Sequence, residues 1–282
     1  MELNDVRKEI DSVDQEIKKL FKKRMMLADE VAIVKARTED DIFKPEREKE
    51  IVDKLTMGVD QSIKREYTAL IKRIMEISRK YQYGRTLELR NCLNLDYVSK
   101  EPELWKTAVL KNEMRFCKEY DDSKIISVDS YDEMEKTISS GAADSCIGVI
   151  EDIGFGVSDE FHTLILKNKL YINHCDILSD GERRLKLVRV SKLLVAGDDD
   201  NRLKIMFVCS NKSGSLASVL AMIADYGVNM TEIHSIPDKN KDWNYIFMVE
   251  LAANIKQQEI KAMIFQLISE TEKFQIMGSY KY

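Results

Sequence analysis

Residues 6–35, VRKEIDSVDQEIKKLFKKRMMLADEVAIVK, decide the architecture of the first third of this chain. Apolar side chains recur at Val6, Ile10, Val13, Ile17, Leu20, Leu27, Val31 and Val34, stepping by fours and threes. That spacing draws one stripe down a helix. Neither Pro nor Gly interrupts it, so about 30 residues rising 1.5 Å each make a rod of roughly 45–50 Å. Such a rod cannot bury its stripe against itself and requires partner helices or a second copy of the chain. Between Leu20 and Leu27 the stripe lands on Arg24, a cation on an otherwise apolar face.

The totals set the frame. At 282 residues the chain is long enough for two or three domains. A hydrophobic fraction of 44% with 33% charged residues describes a globular protein with a charged surface. The net charge of −5 argues against a duplex nucleic-acid binder. No apolar run approaches the roughly 18 residues of a membrane span, and MELNDVRKEID lacks a signal-peptide core. The five cysteines, Cys92, Cys117, Cys146, Cys175 and Cys209, form no C-x-x-C pair, so a zinc cluster is not expected and the thiols read as reduced. The expectation is a cytoplasmic protein without nucleic-acid or membrane partners.

After Lys35 a charged loop leads to Pro45, which opens a second helix with Glu46 and Glu48 in its first turn. This helix breaks near Gly58. A third helix is expected from about Gln61 to Tyr83, with Gly84 as its stop. Arg24 and Lys35 are eleven residues apart, within about 20° of one face and about 16 Å along the axis. Arg7 lies seventeen residues before Arg24 and points roughly 50–100° away; if it contributes to the same site, a partner copy is a route by which it would do so. Ser78 and Gln82 share a face of the third helix. Each of these residues could be a solvated charge on an amphipathic helix. Arg24 is the exception, because a cation on a buried stripe needs an anion. No acid on the first helix occupies the same stripe near it, which makes a ligand anion a candidate.

The pattern Arg7-x3-Asp11-x2-Asp14, Arg24, Lys35, Pro45-Glu46-Arg47-Glu48 and Ser78-x3-Gln82 resembles the all-helical chorismate mutases over residues 1–85. The resemblance implies an intertwined homodimer with shared active sites that rearranges chorismate to prephenate with no cofactor or metal. It implies that Arg24 and a partner's Arg7 bind the two carboxylates, with Ser78 as a secondary contact. Lys35 and Gln82 would donate to the ether oxygen, Arg47 would add charge near the breaking bond, and Glu48 would accept from the substrate hydroxyl. Lys44 stands where many relatives carry an acid.

From Arg85 to Gly197 the periodicity changes. Strands are expected at Ile125–Val128, Cys146–Ile150, Leu170–Ile172 and Leu185–Leu194, with a helix at Tyr131–Ser140. SVDSYDEMEKTISSGAADSCIGVIED and the following GFGVSDEFHTLILKNKLYI resemble the first lobe of prephenate dehydratase, with Glu151-Asp152 near that family's Glu-Asn pair. Ile153 stands at its serine position, no Thr-Arg-Phe motif is present, and a second lobe would need about 80 more residues. Residues 86–197 are therefore expected to be a degenerate α/β lobe that spaces or packs. His162 and His174 lack ligand-like spacing and read as ordinary surface or core residues.

The acidic link Asp198-Asp199-Asp200-Asn201 precedes a βαββαβ pattern. Its strands are Leu203–Cys209, Met230–Ser235, Tyr245–Leu251 and about Phe274–Met277. Its helices are Leu216–Tyr226 and Lys256–Glu270, with a turn at 211–214 and a loop at 237–242. SGSLASVLAMIADYGVNMTEIHSIP resembles the ACT domain of prephenate dehydratases over residues 201–282, which implies phenylalanine as an effector. Ser213, Gly214, Ser215 and Leu216 match its first ligand loop. Thr231, His234 and Ser235 fall at its second element, where His234 and Ile236 replace Glu and Arg. A dimerisation module that binds no amino acid is the plain alternative, and such a module could build an oligomer higher than the dimer.

The fold class expected is thus multidomain: an all-α mutase domain, a small α/β domain and a ferredoxin-like ACT domain. The function expected is chorismate mutase in aromatic amino-acid biosynthesis. A bifunctional mutase/dehydratase and a non-catalytic amino-acid sensor are its rivals.

Overall fold

A computed structural model describes residues 2–102, 105–117, 121–209, 212–237 and 245–282. It divides into two compact units. The first comprises Met1–Asn94 together with Ala221–Tyr226 and Ala262–Glu270. The second comprises Leu95–Leu220, Gly227–Lys261 and Thr271–Tyr282.

Helix α1 (Leu3–Thr38) runs unbroken through the quoted stretch and ends on Glu39, whose left-handed backbone sends its N–H back to the Lys35 carbonyl. Asp5 in its first turn and Lys35 and Arg37 in its last suit the helix dipole. Helix α2 (Pro45–Thr56) opens on proline as expected. Helix α3 (Lys64–Arg90) corrects the expected stop, because it passes straight through Gly84. The αL cap is instead Asn91, at φ 43°, bonded to the Leu87 carbonyl at 3.0 Å. A Cβ at Gly84 would lie 4.0 Å from Ala262 Cβ, an ordinary contact distance.

Packing in this unit is uneven. Ala28 and Ala32 are the buried residues of α1, and α3 approaches this helix through Ser78, against Arg24 and Met25, and through Tyr81 and Arg85, both bonded to Asp29. Every residue of the α1 stripe remains exposed, from Val6 at 36% to Leu20 at 65%. The single chain leaves an apolar face of about 28 residues' length without cover, far more than isolated surface apolars explain.

The second unit is one sheet of ten strands. Its order is β2 (Ile125–Val128), β1 (Thr107–Leu110), β3 (Ser145–Asp152), β6 (Arg183–Ser191), β5 (Tyr171–Asp180), β10 (Lys273–Tyr280), β7 (Arg202–Cys209), β9 (Tyr245–Leu251) and β8 (Met230–Pro237), with β4 (Gly156–Val157) paired to β3. β1 is parallel to both β2 and β3, and helices α4 (Tyr131–Ser139) and α5 (Asp159–Asn168) cover this α/β part. β1 and α5 were not expected from the sequence. β5 is longer than expected because Gly181, at φ +65°, turns it directly into β6.

The C-terminal strands run antiparallel in the order β10-β7-β9-β8, with helix α6 (Ser215–Asp225) after β7 and α7 (Gln258–Glu270) after β9. This is the expected ferredoxin-like plan. The loop expected at 237–242 falls mostly outside the described residues, as does Asn211 of the expected turn. A parallel bridge at Gly278 and Ile172 joins this half to β5.

The sheet is strongly curled. β6 and β8 are five places apart, roughly 24 Å if the sheet were flat. Yet Lys186 Nζ on β6 lies 2.9 Å from Glu232 Oε2 on β8. Within the curl one core takes in Met134, Phe161 and Cys146 from the α/β part and Met206, Val208 and Met248 from the antiparallel part.

Candidate functional site

On α3, Met75, Ser78, Arg79 and Gln82 recur at helical spacing and face α1 and α2 across a cavity of about 630 Å3. α1 contributes Arg24, Glu30 and Lys35, the α1–α2 connection Asp40 and Lys44, and α2 Arg47 and Glu48. Six residues singled out in the sequence, Arg24, Lys35, Arg47, Glu48, Ser78 and Gln82, therefore line one cavity. Arg7 does not. It is exposed, about 26 Å along α1 from Arg24.

Each polar group is held in a definite way. Arg24 Nη1 donates to the Ile74 carbonyl at 3.3 Å and to Ser78 Oγ. Ser78 Oγ in turn donates to that carbonyl at 2.8 Å. The rest of the guanidinium stays available to the cavity. Lys35 Nζ donates to the carbonyls of Asp41 and Ile42 at 2.7 and 2.8 Å. An ammonium has three N–H groups, so one remains. Burial lowers the pKa of both Arg24 and Lys35. Glu48 works against that shift on Arg24, and Asp40 and Glu48 work against it on Lys35. Gln82 Oε1 is buried and has no hydrogen-bond partner among the described residues.

The charges do not cancel. Asp40 pairs with Lys44 at 2.5 Å, and both Glu48 oxygens accept from Arg79 Nη1 at 2.6 and 2.5 Å. Among the described residues no carboxylate lies in ion-pair range of Arg24, Lys35 or Arg47. Three cations lining the cavity, Arg24, Lys35 and Arg47, thus have no ion-pair partner among the described residues; beside them stand the carboxylates Glu30, Asp40 and Glu48, the last two already paired, and one unpartnered amide oxygen. That chemistry suits a small dianion carrying a hydroxyl.

Arg79 was missed in the sequence, although its spacing from Met75 and Gln82 marks the same face. Its guanidinium carbon lies 4.7 Å from the Phe43 ring centroid, and its Nε and Nη2 donate to Glu270 at 3.1 Å each. Burial alone would lower its pKa, but Glu270 and Glu48 together raise it.

In the second unit, a cavity of about 800 Å3 opens where β1 and β2 end and α4 and α5 begin, the usual ligand position of open α/β sheets. Asp129, Asp132, Glu135, Asp159 and Glu160 line it against Lys111 and Lys167, an acidic balance opposite to the helical cavity's. Asp152 accepts from Arg183 Nε at 2.6 Å and from the Gly154 N–H at 3.1 Å. Glu151, Glu232 and His234 bring ligand-type atoms within 4.8 Å of one another. Glu232 is already neutralised there by Lys186 and Lys204, at 2.9 and 3.1 Å. His162 is buried, not a surface residue, at 2% exposure, with Nε2 lacking a partner among the described residues.

The residues expected at an effector site lie on two elements. Ser213, Gly214, Ser215 and Leu216 form the turn that opens α6, with Gly214 at φ +86°. On β8, Thr231 Oγ1 donates to Glu250 Oε1 at 2.8 Å and Ser235 is exposed. His234 is turned inward, 2.5 Å from Glu232 Oε1.

Residues 6–83 match the family model for chorismate mutase type II, and residues 204–268 match that of the ACT domain. The bifunctional chorismate mutase/prephenate dehydratase of Aquifex aeolicus is 22% identical, with 99% of this chain and 98% of that protein covered. Among solved structures, the prephenate dehydratase of Arthrobacter aurescens in complex with L-Phe superposes with a TM-score of 0.54 at 12% identity, covering 62% of this chain and 90% of that one. A quorum-quenching acylase does so equally, with a TM-score of 0.54 at 18% identity over 62% and 94%. These structures share the fold. The chain joins a chorismate mutase type II domain to a prephenate dehydratase-like lobe and an ACT domain.

Among the described residues no helix is long and apolar enough to cross a membrane.

Proposed function

We propose that the chain is a homodimeric chorismate mutase that converts chorismate to prephenate. The observation that carries this reading is the cavity of the helical unit, where three cations without an ion-pair partner among the described residues, Arg24, Lys35 and Arg47, stand beside Glu48 and Gln82. Chorismate brings two carboxylates, an ether oxygen and a hydroxyl. Arg24 binds one carboxylate with Ser78 as its support, and Arg7 of the partner subunit binds the other. Glu48 accepts from the hydroxyl and selects the folded conformer in which the two carbon termini approach. As the C–O bond breaks and the C–C bond forms, negative charge collects on the ether oxygen. The remaining Lys35 N–H and the Gln82 amide donate to that oxygen, so their stabilisation grows towards the transition state. Arg47 adds positive charge beside it.

The homodimer is supported by the exposed α1 stripe, which a second α1 covers while delivering Arg7. The α/β lobe serves as packing: its cavity is acidic and repels the dianion prephenate, and Asp152 is tied to Arg183. The ACT module is assigned phenylalanine as effector, through Ser213, Gly214, Ser215, Leu216, Thr231 and Ser235, with His234 committed elsewhere. Five free cysteines suit a reducing cytoplasm.

The test is to incubate the protein with chorismate and identify the products. Prephenate alone supports the reading. Phenylpyruvate moves it to a bifunctional mutase/dehydratase, and no turnover rejects it. Phenylalanine added to the same assay tests the effector.

A further inference from the structure

Arg79 sits on the pocket face of α3 and is held on three sides. Its Nη1 donates to both oxygens of Glu48, and its Nε and Nη2 donate one bond each to the two oxygens of Glu270 at 3.1 Å. The Phe43 ring lies beneath it. Glu270 is the last residue of α7, with a side chain only 4% exposed, and it also accepts from Gln266 Nε2 at 3.0 Å.

Two carboxylates therefore share one guanidinium in a largely dry setting. For charge balance the Arg79–Glu48 pair is complete by itself, and burying a second carboxylate costs free energy. The geometry shows what Glu270 adds. A guanidinium binds a carboxylate best through a two-nitrogen fork. Glu270 occupies the Nε/Nη2 fork, so Glu48 meets a single nitrogen. A carboxylate has about four lone-pair sites; Arg79 takes one on each Glu48 oxygen, which leaves the other on each for the cavity that Glu48 lines, provided that Arg79 is held where it is.

We propose that Arg79 is a positioning residue of the mutase site, and that Glu270, from the end of the ACT module's last helix, sets its orientation so that Glu48 stays available to the substrate hydroxyl. The inference rests on the mutase reading and deepens it. It makes the end of α7 a lever: a shift there releases the guanidinium from its fixed orientation, and Glu48, bonded to Arg79 Nη1 through both oxygens, moves with it away from the substrate hydroxyl.

The experiment is a double-mutant cycle on the full chain, with kcat and KM for chorismate measured for the wild type, Glu270→Gln, Glu48→Gln and the double variant. Glu270→Gln lowers kcat/KM roughly tenfold in the wild-type background and leaves it unchanged in the Glu48→Gln background, because its effect passes through Glu48. Glu270→Asp, which keeps the charge, recovers part of the loss. A merely structural role reduces the active fraction and multiplies both backgrounds alike. Should far-UV circular dichroism show Glu270→Gln unfolded, Arg79→Lys, which keeps the charge without the fork, takes its place in the same cycle. Equal losses in the two backgrounds, or no loss in the wild-type background, overturn the inference alone. A wild-type protein that does not turn chorismate over overturns the mutase reading and this inference with it.

Discussion

Gly278 on β10 lies so close to Ile172 on β5 that a Cβ there would stand 2.1 Å from the Ile172 carbonyl oxygen. The obstacle is backbone, which cannot swing aside as a side chain does. A bulge between Ile276 and Gly278 in the pairing with β7 brings the strand to this distance. The two halves of the sheet meet at this one register position, so Gly278→Ala forces them apart. We expect a loss of about 3 kcal/mol, the upper range for overpacking a core, seen as a lower urea midpoint. An unchanged midpoint would mean that the junction is slack.

The curl of the sheet encloses ionised groups that depend on one another. Lys186, 5% exposed at its side chain, donates to Glu232 at 2.9 Å and to Glu250 at 2.8 Å, and Tyr280 also donates to Glu250 at 2.6 Å. Although burial raises the carboxyl pKa values, the His234 hydrogen bond, then Lys204, with Lys186 adding less, hold Glu232 far below its ordinary range, and Lys186 with Tyr280 lowers Glu250. Lys186→Met keeps the stem and removes the charge. It should destabilise by about 3 kcal/mol, the lower end of the cost of breaking a buried pair, because Glu232 and Glu250 lose the cation they share while keeping Lys204 and Arg202. Thermal melting checks this, and a loss under 1 kcal/mol would show that water reaches the cluster.

His162 gives the fold an acid sensitivity with a definite window. Burial pushes its pKa down to about 4, against about 6.5 in an unfolded chain. Between those values the unfolded chain binds a proton that the folded one refuses, so stability is full above about pH 6.5 and falls as pH drops towards 4. The shift is worth at most about 3 kcal/mol. His162→Gln should flatten the slope of melting temperature between pH 6.5 and 4.5. A slope equal to the wild type's would assign the acid sensitivity to the carboxylates.

How much of this was legible in the sequence follows from the range of each interaction. The α1 stripe and its Arg24 are local, because a 3.6-residue period shows without a partner, and Lys35, Ser78 and Gln82 are read from the same spacing. Arg79 has the right spacing too, but its meaning comes from Glu270, 191 residues away. β1 is four residues of Thr107-Ala108-Val109-Leu110, buried throughout, and so short a run carries no period. Gly84 reads as a helix stop and is passed through, because the chain does not turn there and the αL cap falls at Asn91 instead. The curl that brings Lys186 to Glu232 belongs to the register of the whole sheet and leaves no local trace.

Lys35 tests the proposed chemistry. With two N–H groups fixed on the Asp41 and Ile42 carbonyls, the third is the donor assigned to the ether oxygen. Lys35→Ala should reduce kcat by about 10²–10³-fold, the usual cost of one oxyanion donor, with a much smaller change in KM. Equal losses in turnover and in chorismate binding would give Lys35 a binding role only.

Arg7 and Arg24 lie on one helix, yet Arg7 is exposed about 26 Å along the axis from Arg24. If each site takes Arg24 from one chain and Arg7 from the other, the two losses complement. Arg7→Ala and Arg24→Ala homodimers are each inactive, because every site lacks one guanidinium. In a mixed dimer, one site pairs the intact Arg24 of the first variant with the intact Arg7 of the second, while the other site lacks both. Random reassortment makes half the dimers mixed, each with one of two sites intact, so activity should return to about a quarter of wild type under two-fold symmetry. Unfolding and refolding the variants together, then assaying prephenate, measures this. A mixture no more active than its components would place both arginines in the same chain's site, and an exchange verified by mass spectrometry makes that outcome decisive.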